Sequence, residues 1–187
     1  MIYLEIFKYN SLISVPLFAF IGLLLIKNNP NFSFSHYTIS KSIFFLSNRT
    51  HRIIFRLNFL LKALLDLGFA WFVIHHFNIS YKLPVFWSLI LSFMLFGSLS
   101  YFVEGKFPIV HKVITYSGGI LWLFSQTYLS LLTKDVTFIR LTNIITAIVF
   151  IVAFGFMFAK RTNVIVQALC MFLLYSWLLI FVFLCIK

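Results

Sequence analysis

Acidic side chains are scarce in this chain: four Asp and Glu among 187 residues, with charged residues of both signs only 10% of the total. A soluble domain carries about 25% charged residues. A fold this poor in charge and 62% hydrophobic would expose large apolar patches to water. That excludes the ordinary soluble classes and makes a bilayer the natural solvent. Cysteine is nearly absent too. Cys170 and Cys185 both lie in the last hydrophobic run, about four helical turns apart, which excludes a bond between them. There is no CxxC, no zinc spacing and no disulfide framework. No two histidines stand at H-x-x-x-H spacing on one helix. His75 and His76 are adjacent and point to different sides. Metal or haem ligation would need partners from separate helices, and no cofactor is expected. No serine sits in a G-x-S-x-G context. The strict alternation of membrane barrel strands is missing, which excludes a β-barrel. Internal repeats and heptad arrays are missing as well.

What remains is hydrophobic length. Apolar runs cover about 6–26, 56–77, 85–103, 113–133, 143–159 and 164–186, with a polar loop over 27–52. Spanning a bilayer takes about 20 apolar residues as a helix, and the fifth run is at the short end. The expected fold class is all-α: a polytopic integral membrane bundle of six transmembrane helices, in one membrane domain over 1–187. The first run also reads as a signal peptide, but Glu5 stands in its n-region and no A-x-A-like cleavage site follows Lys27-Asn28-Asn29-Pro30, so a retained helix is preferred. Pro30 and its Asn neighbours mark a loop. Within that loop, Ile39–Leu46 is expected as a short helix or strand at the interface. Ser47 or Asn48 is the expected N-cap of the second helix, and Pro84 opens the third near its first turn, where proline is tolerated. Short connections predict antiparallel neighbours.

The net charge is +11. In a soluble protein such a balance points to nucleic acid. Here the basic residues lie mostly between apolar runs, where Lys and Arg meet lipid phosphates. Membrane lipids are therefore the expected partners and nucleic acid is not. A second copy of the chain or a partner membrane protein remains open. Six spans place Lys8, Lys82, Lys134, Arg140 and Lys187 on one side. The other side carries Lys27, Lys41, Arg49, Arg52, Arg56, Lys106, Lys112, Lys160 and Arg161, which favours it as cytoplasmic by the positive-inside rule. Three N-x-[ST] sequons, at Asn31, Asn48 and Asn78, fall on opposite sides by the same topology and read as accidental.

Asp66 is the most informative residue. It falls near the middle of the second run, and an ionisable group at that depth costs roughly 2.5–3.5 kcal/mol on insertion scales, so it is expected to face the bundle interior. Lys62 lies one turn earlier on the same face, and Asn58 a turn before that. Asn58, Lys62 and Asp66 thus predict one inward polar stripe, either a site for a headgroup, ion or proton, or a self-neutralising pair. Arg49, Arg52 and Arg56 recur at helical spacing just before it. Three guanidiniums in a row suit a phosphate through bidentate donation, or anchor the chain at the membrane surface. The fourth run carries a small and polar stripe from Thr115 through Gly118, Gly119 and Gln126 to Thr133, read mainly as helix packing. Gln167 and Cys170 read similarly, and Glu104-Gly105-Lys106 reads as a turn with a charge pair.

Two stretches carry a resemblance. One is Ser35-His36-Tyr37-Thr38-Ile39-Ser40, followed by Asn48 and Phe55-Arg56-Leu57-Asn58-Phe59; the other is Phe107-Pro108-Ile109-Val110-His111. Together they resemble a prokaryotic family of six-helix membrane proteins that is distantly similar to the Frag/DRAM/Sfk membrane proteins. In that family the first loop carries an S-x-T-I-S-like patch and a His opens the fourth helix. The match to that position adds His111 to the candidate ligand-binding residues. The chain departs from the pattern at Lys41, where the family more often has an acidic residue, and in lacking an Asp before His111. The resemblance implies a bacterial or archaeal cytoplasmic membrane, both termini cytoplasmic and the first loop outside, opposite to the charge count. It also implies a link to lipid distribution and lipid-anchor remodelling.

The leading expectation is a non-enzymatic membrane protein that binds or helps distribute a lipid or lipid-like molecule, with Asn58, Lys62, Asp66, Arg49, Arg52, Arg56 and His111 as candidate ligand-binding residues. The alternatives are a small proton- or cation-coupled transporter using Asp66, a membrane-embedded hydrolase or transferase with His111 or His36 as base, and an accessory subunit held by partner helices.

Overall fold

The computed structural model describes residues 2–27, 29, 31–159 and 161–186. Asn28 and Pro30, which mark the first loop in sequence, and Lys160 and Lys187, which enter the charge count, lie outside the described residues. Among the described residues, seven α-helices follow in order: α1 (Ile2–Phe7), α2 (Asn10–Ile26), α3 (Arg49–His76), α4 (Pro84–Ser98), α5 (Pro108–Thr133), α6 (Val136–Phe158) and α7 (Val164–Ile180). A 3₁₀ segment, Ser40–Phe45, lies in the first loop, and a π-helical turn, Phe181–Cys185, extends α7. No strand occurs among the described residues, so the chain is all-α.

Capping chemistry rather than hydropathy sets the helix starts. The Asn48 side chain accepts from Thr50 N at 2.8 Å, so α3 begins at Arg49 rather than at the apolar run near Arg56. Asp135 caps α6 through Phe138 N at 3.0 Å and starts it at Val136. Asn163 does the same for α7 through Val166 N. Pro84 and Pro108 occupy the first turns of α4 and α5, where a missing N–H costs nothing. Asn78 and Lys134 take left-handed conformations (φ 51° and 58°) that end α3 and α5. The short element expected over Ile39–Leu46 is the 3₁₀ segment Ser40–Phe45, with Ile43 and Leu46 buried.

Each helix from α2 to α7 packs against its successor, and α7 returns to α2, closing a ring. The α7–α2 seam is the slightest of the ring. A proline secures it. Pro16 lies inside α2 and has no N–H to give the carbonyl four residues back, that of Leu12. The Tyr175 hydroxyl of α7 donates to that same carbonyl at 3.1 Å. Tyr175→Phe is therefore expected to lower stability by about 1 kcal/mol. In a Pro16→Ala background the helix itself satisfies Leu12, and the cost of Tyr175→Phe should shrink toward zero. A double-mutant cycle on thermal midpoints in one detergent measures this, and additive effects would refute the coupling.

Among the described residues, four helical segments are long and apolar enough to cross a membrane: Leu4–Ile26, Arg49–His76, Val136–Phe158 and Val164–Cys185. The apolar runs predict six. The difference has two causes. α4 is short, at 15 residues. α5, at 26 residues, is long enough, but Thr115, Ser117, Ser125, Gln126, Thr127 and Ser130 interrupt its apolar character. Its buried polar residues include Ser125, Gln126 and Ser130.

Two apolar cores divide the ring. One gathers Phe69, Val73, Val85, Leu89, Leu129, Phe138, Trp177 and Phe181 around the α3–α4 and α5–α6 connections. The other gathers Phe18, Phe55, Phe59, Leu99 and Val103 with Phe32, Ile43 and Leu46 of the first loop. The first loop is thus a folded cap on one end of the ring. Phe32, Phe34, Tyr37 and Phe45 pack on one another within it. It docks on the start of α7, where Val164 N donates to Tyr37 O and Asn163 Nδ2 to Ser35 O, both at 2.8 Å.

Candidate functional site

The polar stripe of α3 faces α2. Asn58 Nδ2 donates to Phe18 O at 2.9 Å. Asp66, 1% exposed, accepts at Oδ1 from Ser11 (2.7 Å) and Ser14 (2.5 Å) and at Oδ2 from the Lys62 ammonium. Ser11, Ser14 and Phe18 lie on one face of α2, so antiparallel packing presents them in turn to Asp66 and Asn58. The Lys62 ammonium also stands 4.7 Å from the centre of the Phe96 ring on α4, a cation–π contact. Both carboxylate oxygens are thereby occupied, which is what a carboxylate in an apolar bundle requires.

Arg49, Arg52 and Arg56 share a face, as their spacing predicts, but it is an exposed one, on average about 110° around the helix from the polar stripe. All three arginines are exposed, and none borders the ring's cavities. The structure does not bring them to the Lys62–Asp66 pair.

His111 opens α5 and is buried beneath the first loop. Its Nδ1 lies 2.7 Å from Phe102 O and its Nε2 lies 2.9 Å from Ser40 Oγ. A carbonyl oxygen can only accept, so Nδ1 carries the proton, and Nε2 is left as the acceptor for the Ser40 hydroxyl. Ser40 Oγ is also 3.5 Å from Glu104 Oε2, to which the Thr38 hydroxyl donates. Glu104 pairs with Lys41 across 3.6 Å, not with its neighbour Lys106 as the turn suggests. The two stretches that carry the family resemblance thus meet in one hydrogen-bonded group. Gln167, at the start of α7, accepts from Ile39 N at 2.8 Å and holds the loop over the group.

This group lies at one end of a cavity of about 500 Å³ inside the ring. Thr38, Ser40, Lys41, Glu104, His111 and Lys112 line the loop end, and Phe59, Phe96, Leu123, Val149 and Leu174 line its deeper walls. A second cavity, of about 250 Å³, reaches Lys62, Asp66 and Ser92. Phe96, Leu99, Thr115, Gly119, Met171 and Leu174 border both, so the two are neighbouring chambers of one interior. Gly119 faces open space where a side chain would begin. The small residues of α5 therefore leave room for the chamber as well as for close packing.

No family model, curated protein or solved structure matches the chain. The reading of the site accordingly rests on its own geometry. Among the described residues, no three His, Cys, Asp or Glu side chains gather as metal ligands would. Ser40, Glu104 and Thr38 were not among the residues that sequence reasoning marked as a site. The signal for Thr38 and Ser40 was the Thr38-Ile39-Ser40 patch, and for Glu104 the charged turn; the partner of Ser40, His111, lies 71 residues away from it.

Proposed function

We propose that the chain crosses the membrane with all six ring helices, α2 to α7, and that the interior chamber receives one lipid-like amphiphile. The cavity carries this reading. Its volume, about 500 Å³, falls in the roughly 300–1,000 Å³ range of small-molecule sites. Its polar groups gather at the loop end and its deeper walls are apolar, as a headgroup and an acyl chain require. Lys41, Lys112, His36 and Glu104 at the mouth suit an ester or phosphate headgroup. α4 and α5 complete the six spans because each is enclosed on both sides by neighbours in the ring, where short length and interior polar groups are tolerated. The resemblance to membrane proteins linked to lipid distribution points the same way.

The test is mass spectrometry of lipids that copurify with the gently solubilised protein, beside Gly119→Phe. That substitution places a ring into open cavity and leaves the packed seams alone. The wild type is expected to enrich one lipid class over the bulk membrane, and a folded Gly119→Phe to lose at least three-quarters of it. Bulk composition in the wild type, or full retention in the variant, would refute the receptacle. Labelling of single cysteines placed at Tyr81 and Tyr101, which flank α4, in a background without Cys170 and Cys185 checks the six spans: they require the two positions to react from opposite sides of the membrane, and reaction from one side would refute the crossing of α4.

A further inference from the structure

We infer that Ser40 and His111 are a nucleophile–base pair that hydrolyses a carboxylic ester of the amphiphile held in the chamber; this deepens the receptacle reading and rests on it. Three observations meet at one hydroxyl. The Nδ1–H···O bond to Phe102 fixes the imidazole tautomer and ring orientation, the part a third group plays in hydrolytic triads. Nε2 then faces Ser40 Oγ at 2.9 Å, within the reach a general base needs. Both side chains are buried, yet both border the cavity, so the hydroxyl is screened from bulk water and open to a bound acyl group. Burial alone requires partners for both imidazole nitrogens and for the hydroxyl; what it does not require is that the pair border a cavity. A serine that merely pins a loop need not sit on a cavity wall, opposite the one nitrogen of a histidine that is free to accept.

The step balances with water as co-reactant. Ser40 Oγ attacks the ester carbonyl carbon and its proton passes to His111 Nε2. The tetrahedral adduct collapses, the C–O bond to the alcohol breaks, and the alcohol oxygen takes the proton from Nε2. Water then gives a proton to Nε2 and attacks the acyl-serine carbon. Collapse breaks the bond to Ser40 Oγ, which recovers the proton, and the carboxylic acid leaves. Lys112, on the wall of the same cavity, brings positive charge to the end where the oxyanion forms. The Ser40 hydroxyl has one proton to give, to His111 Nε2 at 2.9 Å or to Glu104 Oε2 at 3.5 Å, and the shorter contact favours Nε2.

The full-length protein in detergent is treated with a long-chain alkyl fluorophosphonate and, separately, with a short-chain one, and the adduct is mapped by peptide mass. The expected result is one phosphonylated residue, Ser40, with the long-chain probe reacting at least tenfold faster. Ser40→Ala should abolish the adduct, and His111→Gln, which retains a hydrogen-bonding side chain, should slow it by about 10²-fold or more. No adduct at Ser40 in the folded wild type with either probe, or equal rates in folded wild type and His111→Gln, would overturn the pair. The wild-type mapping decides even where a variant fails to fold. Labelling of Ser40 at equal rates by both probes upholds the pair and overturns the receptacle. No labelling beside an enriched copurifying lipid overturns the pair alone.

Discussion

Trp177→Ala is expected to cost about 3–5 kcal/mol, enough to unfold much of the population at growth temperature. Trp177 is wholly buried on α7 and holds three helices at once. Its ring stacks with Phe138 of α6 (centroids 5.6 Å) and with Phe181 of the π-helical turn (4.9 Å), and it meets Trp122 of α5 edge-on at 6.1 Å. Its indole N–H donates to Thr142 Oγ1 at 2.8 Å. In a bilayer the driving force for this contact is packing rather than exclusion of water, so the loss is of dispersion contacts around a cavity that cannot collapse. Trp177→Phe keeps the stacking and should cost closer to 2 kcal/mol, because it gives up one hydrogen bond of about 1 kcal/mol and part of the ring. Thermal melts followed by far-ultraviolet circular dichroism in one detergent decide between these values. Equal losses for the two variants would mean that the hydrogen bond, rather than the stack, holds the cluster.

Nothing in the sequence distinguishes Trp177 among so many aromatic residues. Its importance comes from three helices converging on it, and convergence is a property of the ring. The same physics divides the other expectations. The Asn58, Lys62 and Asp66 stripe was legible because charge in an apolar run is costly and four-residue spacing fixes a face. Its partners Ser11 and Ser14 were not, since they lie on another helix. Arg49, Arg52 and Arg56 fall in one row, as their spacing announces, but the row is exposed and borders neither cavity. The start of α3 at Arg49 follows the Asn48 cap, which residue type announced as Ser47 or Asn48 and a hydropathy window alone does not see. All-helical architecture was legible from the runs. Among the site residues, His111 stood out only as one of several histidines that could serve as a base and as the match to a resemblance, and Ser40 only as part of the loop patch. Their meeting depends on how the first loop folds back over α5, which the intervening residues do not announce.

Asp66→Ala is expected to cost about 3–5 kcal/mol, because it leaves the Lys62 ammonium without its counter-charge in a low-dielectric interior. The Lys62 side chain is 11% exposed and that of Asp66 only 1%, so little solvent is present to screen the loss. Lys62→Met/Asp66→Leu removes both charges and should recover at least half of that loss, since well-packed apolar residues replace a buried pair at little net cost. The recovery is incomplete because Ser11 and Ser14 lose their shared acceptor, although Ser14 keeps its bond to Ser11 O at 3.1 Å. Thermal midpoints of Lys62→Met, Asp66→Leu and the double variant give the coupling; strict additivity would refute the pair. The cycle also bears on transport. A proton or cation path through Asp66 requires the carboxylate to release Lys62 and the two serines in each turnover, at a cost comparable to the coupling measured. Uptake into proteoliposomes that depends on pH in the wild type and vanishes in a folded double variant would show that it does so. With every acceptor on the carboxylate already matched by a donor, the expected outcome is no pH-dependent uptake, and a chemistry that lies at the loop end of the chamber instead.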